Sequence, residues 1–173
     1  MNLRDDLQLI YDWIPAGSRV LDLGCGNGEL LAALVGHKEC SGYGVEIDTD
    51  SVIEAMSRGV NVIQADLEQG LEEFGDNTFD VIVLSQTIQS MQNTEMILRG
   101  LMRVAKQAVV TFPNFGYWRN RFQIALGGHM PVSERMPYHW YNTPNIHWCT
   151  LKDFDLLCAK NKITGATSEL TTI

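Results

Sequence analysis

Three segments rich in glycine or carboxylates follow short apolar runs in the sequence. They are Asp22-Leu23-Gly24-Cys25-Gly26-Asn27-Gly28, then Glu46-Ile47-Asp48, and then Asp66-Leu67. Glycines at alternate positions let the backbone turn tightly and approach a ligand without Cβ clashes. A carboxylate 18 residues past the last of these glycines can accept hydrogen bonds from both hydroxyls of a ribose. Asp66 can accept one from an adenine amino group, and Leu67 can pack on the adenine ring, so the three segments predict a site for an adenosine-containing ligand.

The spacing of these residues distinguishes among nucleotide ligands. A dinucleotide fingerprint would require glycine at position 29, where the chain has Glu29. A phosphate-binding loop would require G-x-x-x-x-G-K-[ST], and the sequence contains no such string. The carboxylates of Asp22, Glu46 and Asp66 would make the site anionic, which suits a ligand that carries a sulfonium and an ammonium. The predicted ligand is therefore S-adenosyl-L-methionine or its demethylated product, S-adenosyl-L-homocysteine.

The residues predicted to contact this ligand share a position just after a strand-like run. They are Asp22, Gly24, Cys25, Gly26, Asn27, Gly28, Glu46, Ile47, Asp66, Leu67 and Ser85. Some of them have a second interpretation. Asp22 either binds the ligand's amino group or accepts hydrogen bonds from the loop amides, and Asp66 either contacts adenine or caps the following helix. Cys25 is also interpreted as merely a small residue of the turn. Ser85 and Gln86 either hold a methyl acceptor or are simply the polar end of a strand.

Short β-prone runs alternate with amphipathic runs through the first 112 residues. The predicted strands are residues 19–23, 43–47, 60–65, 79–85 and 107–112, and the predicted helices are 5–14, 29–35, 48 or 50 to 58, and 94–104. Alternation at this spacing predicts parallel strands joined by crossover helices, which is an α/β fold with a Rossmann-like, doubly wound parallel sheet. Ligands of such a sheet bind beyond the carboxyl ends of the strands, where the three segments fall.

A chain of 173 residues is expected to form a single domain, here residues 1–173. Residues 1–112 form the ligand-binding half. Residues 113–150 are dense in aromatic and basic side chains and are predicted to contain a helix over 115–126 and a long functional loop. Residues 151–173 are predicted to supply a helix ending at residue 160, with Thr150 and Asp153 as its capping box, and a last strand over 163–172.

Composition and charge exclude several classes of function. The net charge is −8, which disfavours a broad nucleic-acid interface, and no apolar run approaches the roughly 20 residues of a membrane span. Residues 1–100 carry 5 basic and 17 acidic side chains, whereas residues 101–173 carry 8 basic and 4 acidic ones. The basic part suits an anionic substrate or an acidic partner, or is only a solvated surface. Four cysteines without CxxC spacing indicate free thiols and the cytoplasm.

The sequence does not single out a catalytic base or a metal site. The candidate bases are His129, His139, His147, Tyr117, Tyr138 and Tyr141, and none is distinguished by spacing. His139, His147 and Cys149 lack zinc-ligand spacing. The (N/D)PPY tetrapeptide is absent, so methylation of amino groups in DNA or glutamine is not expected.

Two groups of side chains in the second half suit a ligand cover or a protein interface. Arg119, Arg121 and Arg135 can recognise a carboxylate or an acidic partner, or they are solvated. The five aromatic residues either cover the ligand or anchor an interface, and they are Tyr117, Trp118, Trp140, Tyr141 and Trp148.

Longer stretches of the sequence resemble known families. VLDLGCGNG, GVEID, QADLEQGL and FDVIVLSQTIQ resemble the class I adenosylmethionine-dependent methyltransferase fold. SQTIQSMQN, TFPNFGYWRNRFQIALGGHMPVS and YHWYNTPNIHWCTLKDFDLLC are similar to the MetW family of methionine-biosynthesis proteins, and the match runs from about Leu3 to Asn161. The resemblance implies an adenosylmethionine-binding accessory protein that supports homoserine O-acyltransferase (MetX). The alternative is a methyltransferase that acts on a small metabolite.

The end of the chain departs from the methyltransferase pattern. Sheets of this class usually finish with a sixth strand and an antiparallel seventh, and residues 163–173 leave no room for a hairpin. Either the last antiparallel strand is absent from this chain or a partner covers that edge of the sheet. An uncovered edge favours association, and a homodimer is one form that this could take.

Overall fold

A computed structural model describes residues 3–133 and 136–163. Five strands form one parallel sheet in the order β3-β2-β1-β4-β5. The strands are β1 (Arg19–Leu23), β2 (Ser41–Glu46), β3 (Val62–Gln64), β4 (Phe79–Ser85) and β5 (Ala105–Thr111). The helices are α1 (Asp5–Trp13), α2 (Glu29–Lys38), α3 (Thr49–Ser57), α4 (Leu67–Gly70), α5 (Thr94–Val104), α6 (Trp118–Gly127) and α7 (Leu151–Lys160). The predicted doubly wound α/β fold is confirmed.

The strand order places a topological switch point between β1 and β4. The chain builds outward from β1 through β2 to β3, then returns to place β4 on the other side of β1. Leu23 at the end of β1 pairs with Val45 in β2 and with Leu84 in β4, so these three strands end at nearly the same level. The loops that follow them therefore meet at one edge of the sheet, which is where ligands of such sheets bind.

Two hydrophobic layers cover the two faces of the sheet. One contains residues of α1, α2 and α3 packed against alternate strand positions, such as Val20 and Val83. The other contains α5 packed against the intervening positions, such as Leu21 and Ile82. This alternation follows from the two-residue period of a strand. Each fully buried aliphatic side chain contributes about 1.5–3 kcal/mol, so the layers hold the strand ends in place.

Most element boundaries agree with the sequence prediction, and α2, β2, β3 and β5 differ from it by one to three residues. α2 continues to Lys38, past the predicted end at residue 35, and the Lys38 ammonium donates to the carbonyls of Tyr11 and Ile14 at 2.6 and 2.8 Å. β2 begins at Ser41 instead of residue 43. β3 is shorter than predicted, and β5 begins earlier, at Ala105.

The C-terminal elements agree with the prediction in part. α6 starts at Trp118 instead of residue 115, because Asn114 Oδ1 accepts from the Gly116 N–H at 2.9 Å and forms a turn there. The predicted capping box of α7 is confirmed at Thr150 and Asp153. Of the predicted strand over 163–172, all but the first residue lies outside the described residues. Every helix within the described ranges is too short or too polar to cross a membrane.

Candidate functional site

The glycine loop after β1 is hydrogen-bonded to the end of β2. The amides of Gly24 and Cys25 donate to the Val45 carbonyl at 2.8 and 3.2 Å, and the Gly26 amide donates to Glu46 Oε2 at 2.9 Å. The other oxygen of Glu46 accepts from the amides of residues 47 and 48 at 2.8 and 3.0 Å. One carboxylate therefore joins the first two predicted segments, and each of its oxygens keeps capacity for a further hydrogen bond.

Glycine is required at the three loop positions for different local reasons. All have positive φ, at +72° for Gly24, +52° for Gly26 and +74° for Gly28. A Cβ at Gly24 would lie 2.7 Å from Thr87 Oγ1, and one at Gly28 would lie 2.8 Å from the Ala55 Cβ. A Cβ at Gly26 would meet nothing within 4 Å. Gly24 and Gly28 thus allow close packing of protein on protein, whereas Gly26 faces open space.

The side chain of Cys25 packs against the sheet. A Cβ at Gly44 in β2 would lie 2.4 Å from its Sγ, so the thiol occupies the space above that glycine. Burial, together with the carboxylates of Asp22 and Glu46, raises the pKa of the Cys25 thiol to about 12. A thiol of this kind stays neutral and unreactive at neutral pH, which agrees with its interpretation as a small residue of the turn. Its neighbour Asn27 donates to Glu54 Oε1 at 3.3 Å.

Asp22 is a buried carboxyl beneath the loop. Only 3% of the residue is exposed, and burial together with the nearby Glu46 carboxylate raises its pKa to about 7. The amides of Gly24, Cys25 and Gly26 donate to Val45 and Glu46 instead of to Asp22. The interpretation that Asp22 holds those three amides is therefore wrong.

The third predicted segment lies at the start of α4. Asp66 caps this helix, since its Oδ1 accepts from the Glu68 amide at 3.0 Å, which leaves its other oxygen free of that bond. Leu67 is buried in the core beside Leu71. Ile47, by contrast, is 63% exposed directly after Glu46. The contacts of Asp66 and Leu67 with adenine, and of Ile47 with the ligand, remain predictions. Ile47 has more exposed apolar surface than Leu67.

The end of β4 holds a strained residue. Gln86 has φ +53°, and its amide donates to the Thr111 carbonyl at 3.0 Å. Ser85 Oγ lies 3.1 Å from Thr111 Oγ1, and Thr87 Oγ1 donates to the Ser85 carbonyl at 2.8 Å. A left-handed non-glycine residue is costly and occurs often at functional sites. Thr87 and Thr111 were not among the predicted site residues. Their only signal in the sequence is that hydroxyl residues lie at the ends of the β4 and β5 runs.

A cover segment, defined as residues 145–149, crosses the turn after β4. The Gln89 carbonyl accepts from the amides of Ile146 and His147 at 2.8 and 2.9 Å, and the Phe115 amide donates to the Cys149 carbonyl at 3.1 Å. The Gln89 side chain donates to the Gln86 carbonyl at 2.7 Å. The second half of the chain is thus attached to the same sheet edge as the glycine loop.

The structure, like the sequence, does not single out one of the candidate bases. His129, His139 and His147 are exposed, and His139 stacks on Tyr141 with ring centroids 5.4 Å apart. His147 reaches the turn after β4 through its backbone amide. Within residues 3–133 and 136–163, no three His, Cys, Asp or Glu side chains form a group suited to a metal ion. A cavity of about 140 Å³ lies near the start of β2, between Cys40 and Val60.

The sheet order and the loop at its switch point define the class I fold of adenosylmethionine-dependent methyltransferases. The crystal structure of a SAM-dependent methyltransferase from Archaeoglobus fulgidus matches with a TM-score of 0.70, covering 90% of this chain and 65% of that chain at 18% identity. Within this fold the chain belongs to the MetW family, because the family model described as "Methionine biosynthesis protein MetW" matches residues 4–170.

The chain is also similar to two proteins of known name. The bifunctional methionine biosynthesis protein MetXA/MetW of Rhodopirellula baltica is 37% identical, and the match covers 94% of this chain and 28% of that protein. The chain thus spans less than a third of that relative's length. The ubiquinone/menaquinone biosynthesis C-methyltransferase UbiE of Idiomarina loihiensis is 30% identical over 103 residues, which cover 54% of this chain and 40% of that protein. The predicted family resemblance is confirmed.

Proposed function

We propose that this chain is an adenosylmethionine-binding accessory protein that supports homoserine O-acyltransferase in methionine biosynthesis. The observation that carries the proposal is the Rhodopirellula baltica relative, whose name joins MetXA and MetW in one bifunctional protein. Covalent linkage keeps two modules at a high effective concentration, which is useful when one module acts on the other. If the two modules are separate chains, each needs a surface that binds the other.

The residues at the sheet edge fit S-adenosyl-L-methionine. Gly26 leaves open space in the glycine loop, and Glu46 can accept hydrogen bonds from ribose hydroxyls beside it. Asp22 lies below the loop as a carboxyl for the cationic end of the ligand, and Ile47 offers apolar surface to adenine. When bound, the ligand supplies either a methyl group or, as a later product of the same pathway, a feedback signal. The function is proposed for the cytoplasm, because four cysteines without CxxC spacing are expected to be free thiols.

The side chains near the methyl-acceptor position favour the accessory function over catalysis. Ser85 Oγ lies within hydrogen-bond distance of Thr111, and the Cys25 thiol is neutral and packed on Gly44. General bases must lie within hydrogen-bond reach of the proton that they remove, and the candidate histidines are exposed. A methyltransferase for a small metabolite is the second candidate, which the identity with the UbiE C-methyltransferase over half of the chain favours.

Acyltransferase turnover, measured with and without this chain, tests the proposal. We expect co-purification with the acyltransferase, a higher turnover in the presence of the chain, and a change in that turnover when adenosylmethionine is added. Gly26→Arg should abolish only the effect of adenosylmethionine. Unchanged turnover without co-purification would refute the accessory function. Labelled methyl transfer into a metabolite extract, lost in Gly26→Arg, would then establish the methyltransferase.

A further inference from the structure

Helix α6 lies on the protein with almost no buried surface. Of its ten residues only Asn120 is buried, and this side chain donates to the carbonyls of Asn114 and Phe115 at 3.2 and 3.4 Å. A helix of this length is marginal in water by itself, and tertiary packing of an apolar face normally stabilises it. In the described part of the chain α6 is fixed chiefly at its first turn, so its apolar residues lack the packing that such a helix needs.

Those apolar residues form a stripe. Trp118, Phe122 and Leu126 are four residues apart, a spacing that puts them on one side of a helix, and they are 56%, 58% and 82% exposed. We call these three residues the aromatic stripe. The rings of Trp118 and Phe122 meet edge to face at 6.0 Å, so they present a joint apolar surface. Trp and Phe are enriched at the buried core of protein interfaces.

On helices α1 and α3 the exposed apolar side chains belong to a helix that already buries one face, whereas Trp140 and Tyr141, also exposed, lie outside any helix. α1 exposes Leu9 and Trp13 but buries Leu7 and Ile10 in the core. α3 likewise buries Val52 and Ala55. Single exposed hydrophobic residues on such helices need no explanation. The aromatic stripe differs because its helix has no buried apolar residue.

The charge around the stripe is positive in a chain that is otherwise acidic. Between Glu95 and Asp153 the sequence has seven basic residues and one acidic residue. Arg119 and Arg121 are on α6 itself, and the Arg119 guanidinium lies 5.3 Å from the Trp118 ring centroid. Complementary charge gives an interface its orientation and speeds encounter. The partner's matching face is therefore expected to be an apolar groove with an acidic rim.

We infer that the aromatic stripe is the surface on which homoserine O-acyltransferase docks, an inference that rests on the proposed function. The fused relative matches 94% of this chain, so most of the chain has a counterpart in a protein that also carries MetXA. The helix-in-groove mode uses apolar anchors at this spacing. α6 also follows β5, whose last residue, Thr111, bonds to the turn after β4. A partner on α6 would thus contact an element joined to the sheet edge that carries the glycine loop.

Binding of the purified acyltransferase encoded by the same genome tests this surface. Phe122→Glu/Leu126→Glu keeps helix-forming residues and replaces two anchors with charge, and we expect binding at least about tenfold weaker. Leu156→Glu on α7 is the matched control, because Leu156 is 70% exposed on a helix of the same length. It should bind like the wild type. Arg119→Glu/Arg121→Glu should slow association and reduce its dependence on salt.

These outcomes distinguish a failure of the proposed docking surface from a failure of the proposed accessory function. Circular dichroism and adenosylmethionine binding establish that each variant is folded. Wild-type affinity in the double-glutamate variant and in the arginine variant would overturn the docking surface and leave the accessory function standing. No binding by the wild-type chain and no effect on turnover would refute both. A wild-type dimer that the double-glutamate variant converts to a monomer, with acyltransferase binding unchanged, would assign the stripe to a second copy of this chain.

Discussion

The glycine loop follows the carboxyl end of β1, and helix α6 follows β5. Hydrogen bonds to β2 fix the loop, whereas α6 is almost entirely exposed. The loop amides of Gly24, Cys25 and Gly26 all donate to β2, at its last two residues. α6 buries one residue, Asn120. A small cationic ligand requires a site whose geometry is fixed before it arrives, because preorganisation lowers the cost of binding. A surface for a protein partner requires exposed apolar area instead. The two regions thus differ in rigidity and exposure, as the proposed ligand site and the proposed docking surface would each require.

The largest expected effect is at Gly28, where an added Cβ would lie 2.8 Å from the Ala55 Cβ and 3.2 Å from the Ala55 backbone. Gly28→Leu places a side chain at φ +74° against Ala55 and Val60, so we expect a loss of unfolding free energy of about 3 kcal/mol or more. Denaturant unfolding measures it. Gly36→Ala is the control, since Gly36 lies in α2 with nothing within 4 Å of an added Cβ. It should be neutral or stabilise by about 0.5–1 kcal/mol. Equal stability of the two variants would contradict the rigid loop.

A loss of ligand binding without unfolding is expected at Gly26. Gly26→Arg extends into the open space of the loop, and we expect adenosylmethionine to bind about a hundredfold more weakly or not at all, which is about 2.7 kcal/mol or more. Calorimetry measures this. Gly59→Arg is a matched control, because Gly59 also has positive φ and open surroundings but follows α3 at the other end of the sheet. If both variants bind like the wild type, the open space at Gly26 is not the ligand site.

The sequence predicted local elements more accurately than long-range contacts. β1, β4 and α5 have the predicted bounds, because continuous apolar runs and a helical period determine them locally. The contacts of Thr87 with Gly24, and of Gln89 with the cover segment, join residues about sixty apart. Tertiary packing alone creates such contacts, so no local pattern could reveal them. The same limit explains why the sequence could not decide whether the aromatic residues cover a ligand or face a partner.

A smaller, pH-dependent effect is expected at Asp22. Its pKa is raised to about 7 by burial and by Glu46, and a nearby cation favours the ionised form. Affinity for adenosylmethionine should therefore fall as the pH drops below 7, by up to about tenfold per unit. The stability of the free protein follows the opposite sign. Between about pH 4 and pH 7 the unfolded chain ionises Asp22 while the folded chain keeps it protonated, so stability falls as the pH rises through this window.

Asp22→Asn should remove both dependences, since an amide does not titrate in this range. Its stability relative to the wild type should be greater at pH 8 than at pH 4. Calorimetric titration and denaturant unfolding at pH values from 4 to 8 would measure the two effects. An affinity of the wild type that rises on acidification would mean that the ligand's cation does not face Asp22.

The smallest expected effect on stability is on the aromatic stripe. Phe122→Ala and Leu126→Ala remove side chains that are 58% and 82% exposed, so each should change the unfolding free energy by less than about 0.5 kcal/mol. Leu21→Ala, at a fully buried position of β1, should cost about 2–5 kcal/mol. A large loss in the stripe variants would mean that α6 packs on its own chain, and the division between a rigid site and an exposed docking surface would no longer hold. A small loss combined with weaker acyltransferase binding would show that these side chains serve a partner, because their removal then affects the complex and leaves the fold unchanged.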